Sequence, residues 1–113
     1  MRCLRILLPV AAAFLLFAAW RPVHSADDPI NVAGWNAGLD DADVVTIAQR
    51  IADFDGIDLW GIAEINRADA VPALEKAAET DEVGDFKAVL GTSGGGMRLL
   101  ALYDDTRFVL LEW

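Results

Sequence analysis

Two polar side chains close apolar stretches in positions where phosphate or metal chemistry would need them. Asn36 ends the stretch Ile30-Asn31-Val32-Ala33-Gly34-Trp35-Asn36, and Glu64 stands near the end of Ile57-Asp58-Leu59-Trp60-Gly61-Ile62-Ala63-Glu64-Ile65. Both stretches read as strands, and in open α/β sheets ligand sites gather at the carboxyl ends of strands. A carboxylate within a largely apolar strand is costly unless it meets a cation or a donor. Mg²⁺ suits that description, being held by one or two carboxylates together with waters and substrate phosphate. Asn36 offers an amide donor and acceptor, either for a phosphoryl oxygen or for holding a neighbouring carboxylate. The plainer alternatives are a turn asparagine and a solvated strand-end glutamate.

The elements that must carry this pair follow from local pattern. Residues 30–36 alternate, with Ile30, Val32 and Gly34 on one face, and predict a first strand. Gly38 marks a turn, and Asp40 or Asp41 is placed to cap a helix on which Val44, Ile47, Ala48, Ile51 and Ala52 share one face. Asp55-Gly56 stops that helix. Residues 57–65 are nearly continuous in apolar content, which predicts a strand buried on both faces. Asp69 is placed to cap a second helix, with Pro72 in its first turn and Val71, Leu74, Ala77 and Ala78 as its stripe. The pattern then changes to three short strands at 86–90, 97–103 and 108–113, joined by a glycine-rich loop at 91–96 and a turn at 104–107. The expectation is an α/β fold with a mixed sheet of about five strands and two helices.

Composition narrows the chemistry further. The chain has 113 residues and a formal net charge of −9. Its N-terminus has the three parts of a secretory signal: Arg2 and Arg5, a 15-residue apolar run from Ile6 to Trp20, and a helix-breaking, small-residue segment up to Ala26. Val23 and Ser25 place the cut before Ala26, with cleavage after Ala26 the near alternative; an uncleaved membrane anchor is the plainer reading, but the run is short for a bilayer span, which takes about 20 residues. Residues 1–25 are therefore expected to be a cleaved signal peptide, and 26–113 one exported domain, periplasmic or secreted, with no stable membrane insertion after cleavage. Cys3 and His24, the single Cys and single His, both lie in that leader. The remainder then has no disulfide, no thiol nucleophile, no histidine base and no zinc site of the usual kind. It is also more acidic than the whole, because Arg2, Arg5 and Arg21 leave with the leader. The C-terminal Leu110-Leu111-Glu112-Trp113 lies inside an apolar stretch, and the reading is a chain cut within its domain.

Together these motifs resemble the opening of the endonuclease/exonuclease/phosphatase superfamily, which includes deoxyribonucleases, abasic-site endonucleases, sphingomyelinases and inositol-polyphosphate phosphatases. Its first motif is a strand ending in Trp-Asn, here Trp35-Asn36, and its second is an apolar strand whose glutamate binds a divalent metal, here Glu64 in Asp58-Leu59-Trp60-Gly61-Ile62-Ala63-Glu64-Ile65. The glycine loop, the strand after it and the Arg107-Phe108-Val109-Leu110-Leu111 stretch are similar to the elements that follow. The resemblance implies the N-terminal half of a four-layer α-β-β-α sandwich and metal-assisted phosphoester hydrolysis with Mg²⁺ or Mn²⁺. Glu64 would be the metal ligand and Asn36 the catalytic residue that orders phosphate and carboxylates. The substrate would be a phosphoester, either nucleic acid or a phospholipid or inositol head group. The family's catalytic histidine pair and its partner aspartates belong to a second half, so this polypeptide alone is expected to be inactive.

Other candidates carry less. The loop at 91–96 lacks the Gly-Lys-Ser/Thr of a phosphate cradle and reads as a hairpin loop. Arg67 reads as a solvated loop arginine, although it could reach a phosphate near Glu64. Arg98 and Tyr103 lie on opposite faces of a regular strand and serve one site only if that strand bulges. The acidic runs at 40–43, 81–82 and 104–105 read as caps and turns. A second reading, from another class, is a small non-catalytic exported binding module whose exposed terminal strand pairs with a partner's edge.

Overall fold

The computed structural model describes residues 27–39 and 43–112, so the leader, Asp40, Asp41 and Trp113 lie outside the described residues. The elements run β1 (Val32–Asn36), α1 (Val44–Ala52), β2 (Leu59–Ile65), a 3₁₀ turn (Ala68–Ala70), α2 (Val71–Ala78), β3 (Phe86–Leu90) and β4 (Arg98–Asp104). The sheet order is β1-β2-β4-β3, with β1 parallel to β2 and both other pairs antiparallel. The α/β class, the mixed sheet and the two helices stand as expected; the strand count is four rather than five.

The missing strand has a topological reason. Residues 108–112 form no strand. A strand hairpinned onto β4 would need a free edge there, but β2 and β3 already occupy both sides. At the turn, the Arg107 and Phe108 N–H groups both donate to the Asp104 carbonyl, at 3.1 and 3.0 Å. Beyond the turn Phe108, Val109 and Leu110 line an open cleft together with Leu59, Val89, Ala101 and Tyr103.

Helix α1 begins at Asp43, whose carboxylate accepts from the Val45 and Thr46 N–H groups, both at 3.3 Å. Helix α2 is capped by no side chain: Ala70 is its N-cap residue and Pro72 sits in the first turn, while Asp69 turns back to Arg67. Both helices press one face of the sheet. Ile47, Ile51 and Leu74 from the helices, Leu39 from the loop after β1, and Trp60, Ile62, Ile65, Phe86, Leu100 and Leu102 from the strands are all buried. Fully burying a side chain of this size contributes roughly 1.5–3 kcal/mol.

The opposite face of the sheet is different. Register places Val32, Gly34 and Asn36 of β1 beside Leu59, Gly61 and Ala63 of β2, and Leu99, Ala101 and Tyr103 of β4 continue that face. Val32 is 63% exposed and Leu99 67%. The strand expected to be buried on both faces is thus buried on one: Trp60, Ile62 and Ile65 are covered, while Gly61 on the other face is exposed. Arg98 and Tyr103 do point to opposite faces; β4 is regular, and the sheet's one bulge lies in β2.

At the end of the sheet where β2 begins, a buried polar network ties distant segments together. Arg107 Nη1 donates to Asp58 Oδ1 at 2.6 Å, and the Asn31 N–H donates to Asp58 Oδ2 at 2.7 Å. Arg107 Nη2 reaches the Asp28 and Pro29 carbonyls at 3.2 Å. The neighbouring buried Asp104 accepts from the Thr106 N–H and hydroxyl at 2.8 and 2.6 Å. Gly84 packs so closely on Asp104 that any Cβ there would overlap its carboxylate.

Candidate functional site

Asn36 and Glu64 lie at the same end of the sheet because β1 and β2 run parallel. Asn36 pairs in register with Ala63, the residue before Glu64. Adjacent strands sit about 4.8 Å apart, so the two side chains leave neighbouring points on one rim.

Glu64 reaches that rim through a bulge. Between the pairs Ile62↔Leu100 and Ile65↔Arg98, β2 spends one residue more than β4. Without it, strict alternation would put Glu64 on the helix-covered face behind Trp60 and Ile62. With it, Ile65 takes the core position and is fully buried, while Glu64 is half-buried at the rim. Glu64 adopts a φ of 62°, in the left-handed region. A non-glycine residue there carries a strain of about 1–2 kcal/mol.

The loop after β1 closes against this bulge. The Ala37 N–H donates to the Ala63 carbonyl at 3.1 Å and the Leu39 N–H to the Glu64 carbonyl at 3.2 Å. The Asn36 side-chain oxygen accepts from the Gly38 N–H at 3.0 Å, the turn expected of a strand-end asparagine. Gly38 has a φ of 52°, and a Cβ on it would stand 4.0 Å from Glu64 Oε2, so the carboxylate lies directly over this turn. Among the described residues no side chain or backbone N–H donates to the Glu64 carboxylate, and none accepts from the Asn36 amide NH₂. Asn66, two residues beyond Glu64, brings a further amide to this rim with its oxygen buried.

Arg67 does not join the pair. It is exposed and its guanidinium is paired with Asp69 at 2.8 Å. That hydrogen bond holds the Asp69 carboxyl below its ordinary value and raises the guanidinium in turn. The glycine-rich segment joins β3 to β4 as a hairpin loop, closed by the Gly91 N–H on the Leu99 carbonyl at 2.7 Å.

No family model, curated protein or solved structure matches this chain. The site therefore rests on its own geometry. No group of three or more His, Cys, Asp or Glu side chains converges to hold a metal among the described residues. Mg²⁺ takes one or two protein carboxylates and fills its remaining positions with water and phosphate, and at this rim the described residues supply one carboxylate, Glu64.

Sequence reasoning placed Asn36 and Glu64 together and the structure does the same. It passed over Asp58, which sits inside an apolar run and whose partner Arg107 lies 49 residues away. The available signal was a carboxylate inside a strand that must be buried, which demands a cation somewhere in the chain. Asp104, read as a turn residue, does serve the turn through Thr106 and is buried while doing so.

Proposed function

We propose that this chain carries the metal-binding strand pair of an exported phosphoesterase of the endonuclease/exonuclease/phosphatase type. The observation that carries the reading is the bulge at Glu64, which lifts a carboxylate out of the core row to the rim beside Asn36 at the cost of a left-handed backbone. Strain of this kind gathers at functional sites, and a half-buried carboxylate without a described donor has one side open for a cation.

In this reading Glu64 would hold Mg²⁺ or Mn²⁺, which when bound would supply Lewis-acid stabilisation of the charge on a phosphoryl group. Asn36, its oxygen fixed by the Gly38 N–H, directs its NH₂ toward a non-bridging oxygen and orients the phosphate. A proton-accepting base comes from residues beyond these, since no histidine follows His24. The bare sheet face around Val32, Gly61 and Leu99 is where a second sheet would pack, completing an α-β-β-α sandwich. Nucleic acid and phospholipid or inositol head groups are the substrate classes, and the leader at 1–25 directs export. No described helix is long and apolar enough to cross a membrane.

Hydrolysis of bis(p-nitrophenyl) phosphate by the full chain with Mg²⁺ or Mn²⁺ tests the reading. The expected result is metal binding that needs Glu64, with no turnover. Turnover abolished by Glu64→Ala would overturn the expected inactivity of the chain alone. Metal binding unaltered by Glu64→Ala would overturn the site itself.

The alternative, a binding module using a terminal strand edge, loses its terminal strand, because residues 108–112 form none.

A further inference from the structure

Strand β1 is an edge of the sheet, and its backbone polarity can be assigned residue by residue. The Asn31 carbonyl accepts from the Leu59 N–H, and the Ala37 N–H donates to the Ala63 carbonyl. In a parallel ladder each residue directs its N–H and C=O to the same side, alternating along the strand. Asn31, Ala33, Trp35 and Ala37 therefore face β2, while Val32, Gly34 and Asn36 direct their N–H and C=O groups outward. Among the described residues none pairs with this outer edge.

Beside that edge, on the helix-covered side, lies a cleft of about 430 Å³ lined by Ala33, Gly34, Trp35, Arg50, Phe54 and Trp60. Phe54 stands edge-on to Trp60 with ring centroids 6.0 Å apart and is itself 60% exposed. Arg50 is the one cation of the lining, and its contact with Asp53 is a loose 3.9 Å between two exposed groups.

We propose that this edge binds an extended peptide segment of another protein, added as a strand alongside β1, with an aromatic or branched apolar side chain in the cleft and a neighbouring acidic residue on Arg50. Two separate features select the same ligand. Outward N–H and C=O groups at every second residue recognise an extended backbone and nothing smaller. The aromatic cleft then recognises one alternate side chain of that backbone, since side chains on one face of the added strand fall level with Ala33 and Trp35. Arg50 adds a local preference for a carboxylate, set against the repulsion of a chain whose net charge is −9. The edge ends at Asn36 of the Asn36–Glu64 rim, but it offers the peptide its backbone there, and the cleft includes neither Asn36 nor Glu64, so the proposal stands whether or not that rim binds metal.

Selection from a random peptide display library on the immobilised full chain tests the proposal. Enriched peptides should alternate apolar and polar residues, with an aromatic or branched apolar residue near an Asp or Glu. Gly34→Pro removes an outward donor, and a Cβ at Gly34 meets nothing within 4 Å, so an edge strand accepts the change. It should weaken the selected peptides about tenfold or more. Phe54→Ala should weaken them and relax the aromatic preference, and Arg50→Glu should reverse the acidic one. Near-UV circular dichroism confirms that each variant keeps its fold, and Phe54→Ala remains decisive if Gly34→Pro does not. No enrichment, or peptides indifferent to Phe54→Ala and Arg50→Glu, would overturn the proposal. So would concentration-dependent dimerisation abolished by Gly34→Pro, which would give the edge to a second copy.

Discussion

One strand, β2, meets carboxylates at both of its ends, and they live under opposite conditions. Asp58, just before the strand, is 8% exposed, with one oxygen on Arg107 and the other on the Asn31 N–H. Glu64, near the other end, is half-buried on a left-handed backbone with no described donor. A buried carboxylate with both oxygens engaged is a structural part, and disturbing it costs stability. A carboxylate held out of the core by a bulge, with no donor among the described residues, is tied to the fold by fewer described contacts. The two look alike in composition and differ only in what surrounds them.

The largest consequence falls on Asp58. Asp58→Ala strands the Arg107 guanidinium in a buried position and should cost about 3–5 kcal/mol, a large share of the stability of a small domain. Urea unfolding of the full chain measures it. The double variant Asp58→Ala/Arg107→Met should recover a large part of the loss, because no uncompensated charge then remains. If Asp58→Ala were as mild as a surface change, the two ends would not differ as described.

At Glu64 the effect should be smaller and depend on the replacement. Glu64→Ala keeps a side chain on the left-handed backbone, whereas glycine accepts that φ freely at its own entropic cost. Glu64→Gly should therefore be more stable than Glu64→Ala by about 1 kcal/mol. Equal stability of the two would show that the bulge carries no such strain.

The smallest effect sharpens the comparison with a third carboxylate. Glu79 accepts from the Phe86 N–H at 3.2 Å, but burial, reinforced by hydrogen bonding with Asp85, pushes its carboxyl above the ordinary value of 4.5. A carboxyl raised in the folded state contributes stability that is fully present below its unfolded value and lost as pH rises through its folded value. Glu79→Gln keeps the acceptor and removes the charge. It should leave the chain at least as stable as the parent at about pH 7, with the difference fading toward about pH 4. Asp85 runs the other way: Lys87 holds its carboxyl low, so its contribution is lost on acidification.

Much of this arrangement was legible in the sequence, and the gaps share one cause. Helical and strand periodicities marked both helices and the first four strands to within about two residues, because those signals are local. The cap at Asp43 shifted from Asp40 or Asp41 by a few positions, as acidic neighbours made the choice degenerate. The Asn36–Glu64 pair was visible because parallel strands bring their carboxyl ends to one rim. Three features were not: the fate of residues 108–112, the bulge before Ile65 and the Asp58–Arg107 pair. Each depends on which strand lies beside β2 or β4, and strand order is a property of the assembled sheet rather than of any short stretch.

In the proposed function Glu64, and not the better-connected carboxylates at the other end, is the ligand-facing group. Titrating the ¹⁵N-labelled full chain with Mn²⁺ tests it directly, since the paramagnetic ion broadens amide signals in its surroundings. Broadening should centre on Asn36, Gly38 and Glu64 and be abolished in the folded Glu64→Gly variant. Broadening centred on Asp58 and Asp104, or unchanged by Glu64→Gly, would contradict it.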